Sequence, residues 1–210
     1  MTTIGPTPLY LSRLLLNPRS RQVQAELSDP YQMHRTLSRA FGDNGEFAQA
    51  RCLFRVDEAH DSGSLQALVQ SRLRPDWTHM AGKGAYLQDR PETKEFEPLL
   101  PAGGCFAFRL RANPTVKRDG KRLGLYKEDE QIDWLERKAC ASGFALLAVA
   151  VRPREIVCSR TTNGFDTEMV EATFDGLLRV MDTDKLAVTI ASGIGSGKAF
   201  GFGLLSLARV

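Results

Sequence analysis

Long apolar runs are missing from this chain: the longest, residues 144–151, has the length of a strand, where a membrane span needs about 20 residues. The opening MTTIGPTPLY has no basic start followed by an apolar stretch. It carries no secretory signal on that reading, and a cytoplasmic protein without membrane contact is expected. Cysteine and histidine are scarce. Cys52, Cys105, Cys140 and Cys158 form no CxxC, and with His34, His60 and His79 they offer no metal-ligand spacing. The expectation is buried free thiols in a reducing compartment, with no metal and no cofactor. Charge of one sign is not in large excess either. A formal charge of +3 says little about partners; the clustering of Lys117, Arg118, Lys121 and Arg122 just after Arg109 and Arg111 fits a polyanion-binding patch, with an ordinary solvated basic surface as the alternative. With 42 % apolar and 25 % charged residues, the 210-residue chain is of ordinary globular composition. Its length suits one large domain or two of about 100 residues.

Local signals order the elements. Residues 9–17 read as a strand. Ser28, Asp29 and Pro30 announce a helix with Asp29 at the N-cap, Pro30 at N1 and Gln32 at N3 of a capping box, running to Phe41 and stopping at Gly42. Residues 47–56 and 65–72 read as strands across a polar link, 77–87 as a glycine-interrupted short helix, and 94–100 as a last strand before the break at Pro101 to Gly104. The second half repeats this order. Phe106, Phe108 and Leu110 alternate with Ala107, Arg109 and Arg111, giving a strand with one apolar and one basic face. Asp119-Gly120 marks a hairpin turn within 117–122. A helix over 128–141 follows, with Ile132, Leu135 and Ala139 on one face, then strands over 144–152 and 168–180. Another helix runs over 182–192, and a final strand over 203–208.

Both halves approximate β-α-β-β-α-β. The expected fold is therefore α+β, two tandem ferredoxin-like (RRM-like) domains over 9–100 and 104–210, each with an antiparallel sheet. The alternative is one larger domain. This fold serves many functions, so the chemistry must come from particular residues.

On the first predicted helix, Met33, Leu37, Ala40 and Phe41 make an apolar stripe. At about 100° per residue His34 lies roughly 75° from its centre and Tyr31 roughly 135° from it. Arg35 and Arg39 lie nearly opposite. Tyr31 and His34, three residues apart, can reach one substrate group from adjacent turns, the alternative being a buried structural histidine. Histidine suits proton transfer, with its ordinary pKa near 6.5. A tyrosine near 10 more easily orients a hydroxyl or donates to a phosphate. His60 and His79 have no identifiable partner and are expected at the surface.

Gly193, Gly195, Gly197, Lys198, Gly201 and Gly203 form an unusual passage before the last strand. It is no P-loop, because Ser192 stands where a glycine is needed and Ala199 where Ser or Thr is needed. It also lacks the dinucleotide spacing. Two readings stay open: a backbone nest or close approach for phosphate, and a tight helix-to-strand passage packed on the sheet.

Several stretches, in order, resemble the type I-E CRISPR repeat endoribonucleases of the CasE/Cse3 family: YLSRLLLNPRSR at 10–21, DPYQMHRTLSRAF at 29–41, FRLRANPTVKRDGKR at 108–122, FDGLLRVMDTDKL at 174–186 and GIGSGKAFGFGLLSLARV at 193–210. Residues 57–101 carry the least resemblance, and the leader before Leu9 lies outside it. The resemblance implies two ferredoxin-like domains and recognition of the repeat stem-loop. It implies metal-independent cutting at the 3′ base of that stem by the neighbouring 2′-hydroxyl, leaving a 5′-hydroxyl and a 2′,3′-cyclic phosphate. It implies that the protein, a monomer when free, keeps the mature guide RNA and joins the other Cascade subunits, especially the adjacent backbone subunit.

By residue, the resemblance places the family's catalytic histidine on His34, and the helix tyrosine that some members carry on Tyr31. His34 is expected to transfer a proton as general acid to the leaving oxygen, and Tyr31 to orient or deprotonate the 2′-hydroxyl. Arg35, Arg39, Arg109, Arg111, Asn113, Lys117, Arg118, Lys121, Arg122, Arg160 and Lys198 are expected on RNA, with Arg152 and Arg154 as further candidates. Two rivals remain. An RNA-binding subunit without catalysis would not need His34. A small-molecule enzyme using the glycine-rich passage for a phosphorylated ligand is disfavoured by the failed P-loop pattern.

Overall fold

Alternation and helical period translate into strands and helices in a computed structural model, which describes residues 8–42, 46–58, 64–80, 86–152, 156–160 and 166–210. The chain divides into two units, Met1–Pro98 with Ala199–Gly201, and Leu99–Lys198 with Phe202–Val210.

The first unit runs β1 (Leu9–Leu16), α1 (Arg21–Ser28), α2 (Pro30–Ser38), a 3-10 turn (Arg39–Phe41), α3 (Glu46–Ala50), β2 (Leu53–Glu58), β3 (Leu65–Ser71), a 3-10 turn (Thr78–Met80) and β4 (Glu92–Phe96). Its antiparallel sheet has the order β2-β3-β1-β4. The first and third strands lie at the centre, as a ferredoxin-like unit requires. Alternate residues Leu14 and Leu16 of β1 and Ala67 and Val69 of β3 enter the core. There they meet the stripe Met33, Leu37, Ala40 and Phe41, all buried. Truncating Leu37, fully buried, would cost about 2–5 kcal/mol.

The second unit runs β5 (Cys105–Ala112), β6 (Thr115–Arg118), β7 (Lys121–Gly124), α4 (Glu128–Ala141), β8 (Phe144–Arg152), β9 (Ile156–Arg160), β10 (Asp166–Val170), β11 (Ala172–Val180), α5 (Thr183–Ser192) and β12 (Leu205–Arg209); a 3-10 turn (Lys198–Phe200) precedes β12. Its sheet order is β12-β5-β11-β8, the same arrangement as in the first unit, with β6–β7 and β9–β10 as separate hairpins. Val170, Ala172, Phe174, Leu178 and Val180 are buried, as their shared parity predicts. The expected α+β fold of tandem ferredoxin-like sheets is thus the observed one.

Several local expectations are corrected. Asp29 does not cap α2 with its side chain. It joins two helices instead: its N–H donates to Ala25 O of α1, and its carbonyl accepts from Gln32 N in the first turn of α2. Helix α1 itself is an addition, started by Ser20, whose Oγ accepts from Val23 N. The strand expected over 47–56 starts only at Leu53, because α3 occupies Glu46–Ala50 and Arg51 then turns with φ +49°. The strand expected over 94–100 is β4, shifted towards the N-terminus; Pro98 has no N–H to extend the ladder. Of the short helix expected over 77–87, a 3-10 turn at Thr78–Met80 is described, and 81–85 lie outside the described residues. The single strand expected over 168–180 is two, β10 and β11, separated at Glu171, whose carboxylate pairs with Arg111.

Cys52 is buried, and burial pushes its thiol up to about 12. Cys105 and Cys140 are exposed, against expectation: each stands on the solvent side of its strand or helix. The side chain of Cys158 and all of His60 lie outside the described residues. His79 is half-buried and no free surface histidine. Its ring nitrogens lie 3.3 Å from Asp76 O and 3.1 Å from Thr36 O, tying the 3-10 turn to α2. Among the described residues no helix is long and apolar enough to cross a membrane.

Candidate active site

Pro30 at the first position of α2 sets the helix start, so that Tyr31 and His34 follow on adjacent turns. Their ring centroids lie 6.4 Å apart. His34 stacks near Phe54 of β2 at 6.2 Å, with ring planes 19° apart. Tyr31 lies 5.6 Å from Phe200 of the glycine-rich passage. Tyr31, His34, Arg35, Ser38, Arg39 and Ala199 line one pocket of about 530 Å³. Both rings are half-buried and both arginines exposed. The four helix residues singled out by spacing therefore do share a cavity. Ser38, Phe54, Ala199 and Phe200 were not foreseen, since the last three come from distant strand and loop segments.

Burial against Phe54 and the helix pushes the His34 pKa down to about 4, so the imidazole is neutral at pH 7. Behind the helix, Glu26 of α1 is buried and accepts from Gln22 Nε2 (2.8 Å), Thr36 Oγ1 (2.7 Å) and the Tyr86 hydroxyl (2.6 Å). Burial, and then the bond to Glu26, push the Tyr86 pKa up. This network and His79 both hold Thr36, two residues beyond His34.

In the second unit, Arg109 donates to Asp175 at 2.6 Å, and Arg152 to the same carboxylate at 2.7 Å. Burial alone would raise Asp175, but its bonds to Arg109 and Arg152 outweigh it and hold the carboxylate below its ordinary range. Arg111 pairs with Glu171 and lies 5.7 Å from the ring centre of Phe202. Asn113 is buried and bridges backbone with Ser196. Lys117, Arg118, Lys121 and Arg122 form the β6–β7 hairpin around Asp119 and Gly120, both at positive φ. Arg160 belongs to β9; its side chain and the whole of Arg154 lie outside the described residues.

The glycine-rich passage is a tight one. Gly193, Gly195, Gly197, Gly201 and Gly203 all have positive φ. At Gly203 (φ +91°) a Cβ would stand 2.7 Å from Ile194 O, so only glycine fits. Lys198 Nζ donates to Gly195 O at 2.6 Å within the same passage.

Fold and site together define a tandem ferredoxin-like protein with a half-buried histidine, His34, in a pocket on the first unit's helix. A protein-family model described as "CRISPR associated protein" matches residues 9–209. The CRISPR-associated endoribonuclease Cse3 of Thermus thermophilus is 35 % identical, over 95 % of this chain and 100 % of that protein. The CRISPR system Cascade subunit CasE of Escherichia coli is 31 % identical, over 95 % of this chain and 99 % of that one. Among solved structures, Thermus thermophilus Cse3 bound to an RNA representing a pre-cleavage complex is similar with a TM-score of 0.86 and 34 % identity, over 96 % of this chain and 100 % of that chain. Cas6e from Escherichia coli gives 0.67 and 28 %, over 96 % and 100 %. The chain belongs to the Cse3/CasE family of CRISPR-associated endoribonucleases.

Proposed function

We propose that this protein cleaves CRISPR repeat RNA at the 3′ base of its stem-loop without a metal ion, acting in the cytoplasm, and stays on the mature guide RNA as a Cascade subunit. The observation that carries the reading is the single pocket holding Tyr31, His34, Arg35 and Arg39. Its relatives are an endoribonuclease, seen with RNA, and a Cascade subunit.

In the reaction the 2′-oxygen forms a bond to the adjacent phosphorus while the bond from phosphorus to the 5′-oxygen breaks. The attacking hydroxyl gives its proton to solvent water, and the leaving oxygen gains one from His34. Tyr31 orients the hydroxyl and Arg35 and Arg39 offset phosphate charge, a task suited to a guanidinium fork. His34 donates to the 5′-oxygen, for which it must first be protonated. In the free protein burial keeps it neutral. A phosphate seated beside it favours the imidazolium and raises its pKa towards working pH. Substrate binding thereby creates the acid.

A repeat hairpin from the source organism's own array, with a single 2′-deoxy nucleotide immediately 5′ of the scissile phosphate, tests this reading. Binding should persist and cleavage should vanish. Cleavage of the deoxy substrate at the same position would rule out 2′-hydroxyl attack, and tight binding with no cleavage of the all-ribose hairpin would favour a non-catalytic RNA-binding subunit.

A further inference from the structure

The basic residues of the β6–β7 hairpin lie on two sides, and the strand register separates them. Lys117 pairs with Arg122, and Arg118 with Lys121. Residues directly opposite across antiparallel strands project to the same side, and neighbours along one strand to opposite sides. Lys117 and Arg122 therefore share one side with Thr115, while Arg118 and Lys121 share the other with Val116 and the exposed Leu123.

The first side closes a pocket. Thr115, Lys117 and Arg122 line a cavity of about 340 Å³ together with Lys138 and Trp134 of α4 and Ser196 of the glycine-rich passage. No carboxylate lines it, and Lys117, Arg122 and Lys138 form no ion pair with a described residue. Three cations gathered without a counter-charge repel one another, which an anion would relieve. Ser196 also lines the cavity, and its Oγ is buried with no hydrogen-bond partner among the described residues, an unmade bond that a phosphate oxygen would satisfy.

Trp134 is buried, with Lys138 Nζ 5.9 Å from its ring centre. Gly195 at φ +80° is packed so close that a Cβ would stand 3.2 Å from the ring. The indole is thus a floor and offers no free face for stacking a base. Ammonium, guanidinium and hydroxyl donors fit phosphate oxygens. The structure assigns to this pocket a backbone-phosphate site for RNA, held by Lys117, Arg122, Lys138 and Ser196. The assignment rests on the RNA reading above and extends it to two residues outside the hairpin, Lys138 and Ser196. Such a site fixes the hairpin's inner side on one phosphate and leaves Arg118 and Lys121 for a second contact.

Binding of the repeat hairpin over a salt series tests the site, using wild type, Lys138→Ala, Lys138→Arg, Ser196→Ala and, as a matched control, Lys94→Ala. Lys138 and Lys94 are both exposed, so neither change threatens the fold. Losing one phosphate contact should lower the slope of log affinity against log salt by about 0.7–0.9 and weaken binding about 3–10-fold. Lys138→Arg should restore the slope, Ser196→Ala should weaken binding at unchanged slope, and Lys94→Ala should match wild type. A wild-type slope in Lys138→Ala, or an equal drop in Lys94→Ala, would overturn the pocket alone. Failure of the wild-type protein to bind the hairpin would overturn the RNA reading and the pocket with it.

Discussion

Replacing His34 with glutamine should change how the protein's stability depends on pH, by an amount the structure supplies. An unfolded histidine takes up its proton near pH 6.5, whereas burial in the folded protein delays this to about 4. Between those values the unfolded chain binds the extra proton, so stability falls as pH drops through 6.5 and the loss is complete below 4. At about 1.4 kcal/mol per pH unit the full loss is about 3 kcal/mol, and about 2 kcal/mol of it has occurred by about pH 5. Urea unfolding at neutral pH and near pH 5 measures it, with His34→Gln as the reference that cancels every other titrating group. Wild type should lose about 2 kcal/mol more than the variant on acidification. Equal losses would show that His34 is not held neutral by burial. The same proton should respond to RNA: with the 2′-deoxy hairpin bound, His34 followed by NMR should titrate at higher pH than in the free protein. A pKa that stays near 4 in the complex would remove His34 as the general acid.

Three other outcomes follow from the same contacts. Tyr31→Phe keeps the ring against Phe200 but removes the hydroxyl, and should slow single-turnover cleavage about tenfold or more at unchanged binding; an unchanged rate would make Tyr31 a packing residue. Glu26→Ala strands the hydroxyls of Thr36 and Tyr86 and should cost about 3 kcal/mol in urea unfolding, at about 1–3 kcal/mol per orphaned group; a cost below about 0.5 kcal/mol would mean the network does not hold α2. Gly203→Ala sets a Cβ 2.7 Å from Ile194 O at positive φ and should cost about 1–3 kcal/mol, where a neutral change would show that the passage yields.

What the sequence made legible was local. Helix α4 was read at its observed ends because Glu128, Asp129 and Glu130 favour its N-terminus and Lys138 its last turn. The β6–β7 turn was legible because Asp119 and Gly120 tolerate the positive φ they adopt. Helix α1 stayed hidden because one of its two buried residues is a carboxylate, Glu26, whose burial makes sense only beside Tyr86, 60 residues on. Strand β4 was expected, but two residues too late, for a related reason: Glu92, Lys94 and Glu95 are exposed at a sheet edge, so pairing with β1 and not alternation sets its ends. In the site, Tyr31, His34, Arg35 and Arg39 were legible because one helix spaces them. Phe200 and Ala199 were not, since the fold returns them to the first unit from far along the chain. For the same reason the register of two hairpin strands, and not the basic cluster itself, divides Lys117 and Arg122 from Arg118 and Lys121.

The most direct test is cleavage of an end-labelled repeat hairpin from the organism's own array, in excess EDTA, by wild type and by His34→Ala. Wild type should make one cut at the 3′ base of the stem, and the variant none although it still binds. Equal cutting by both proteins would contradict it.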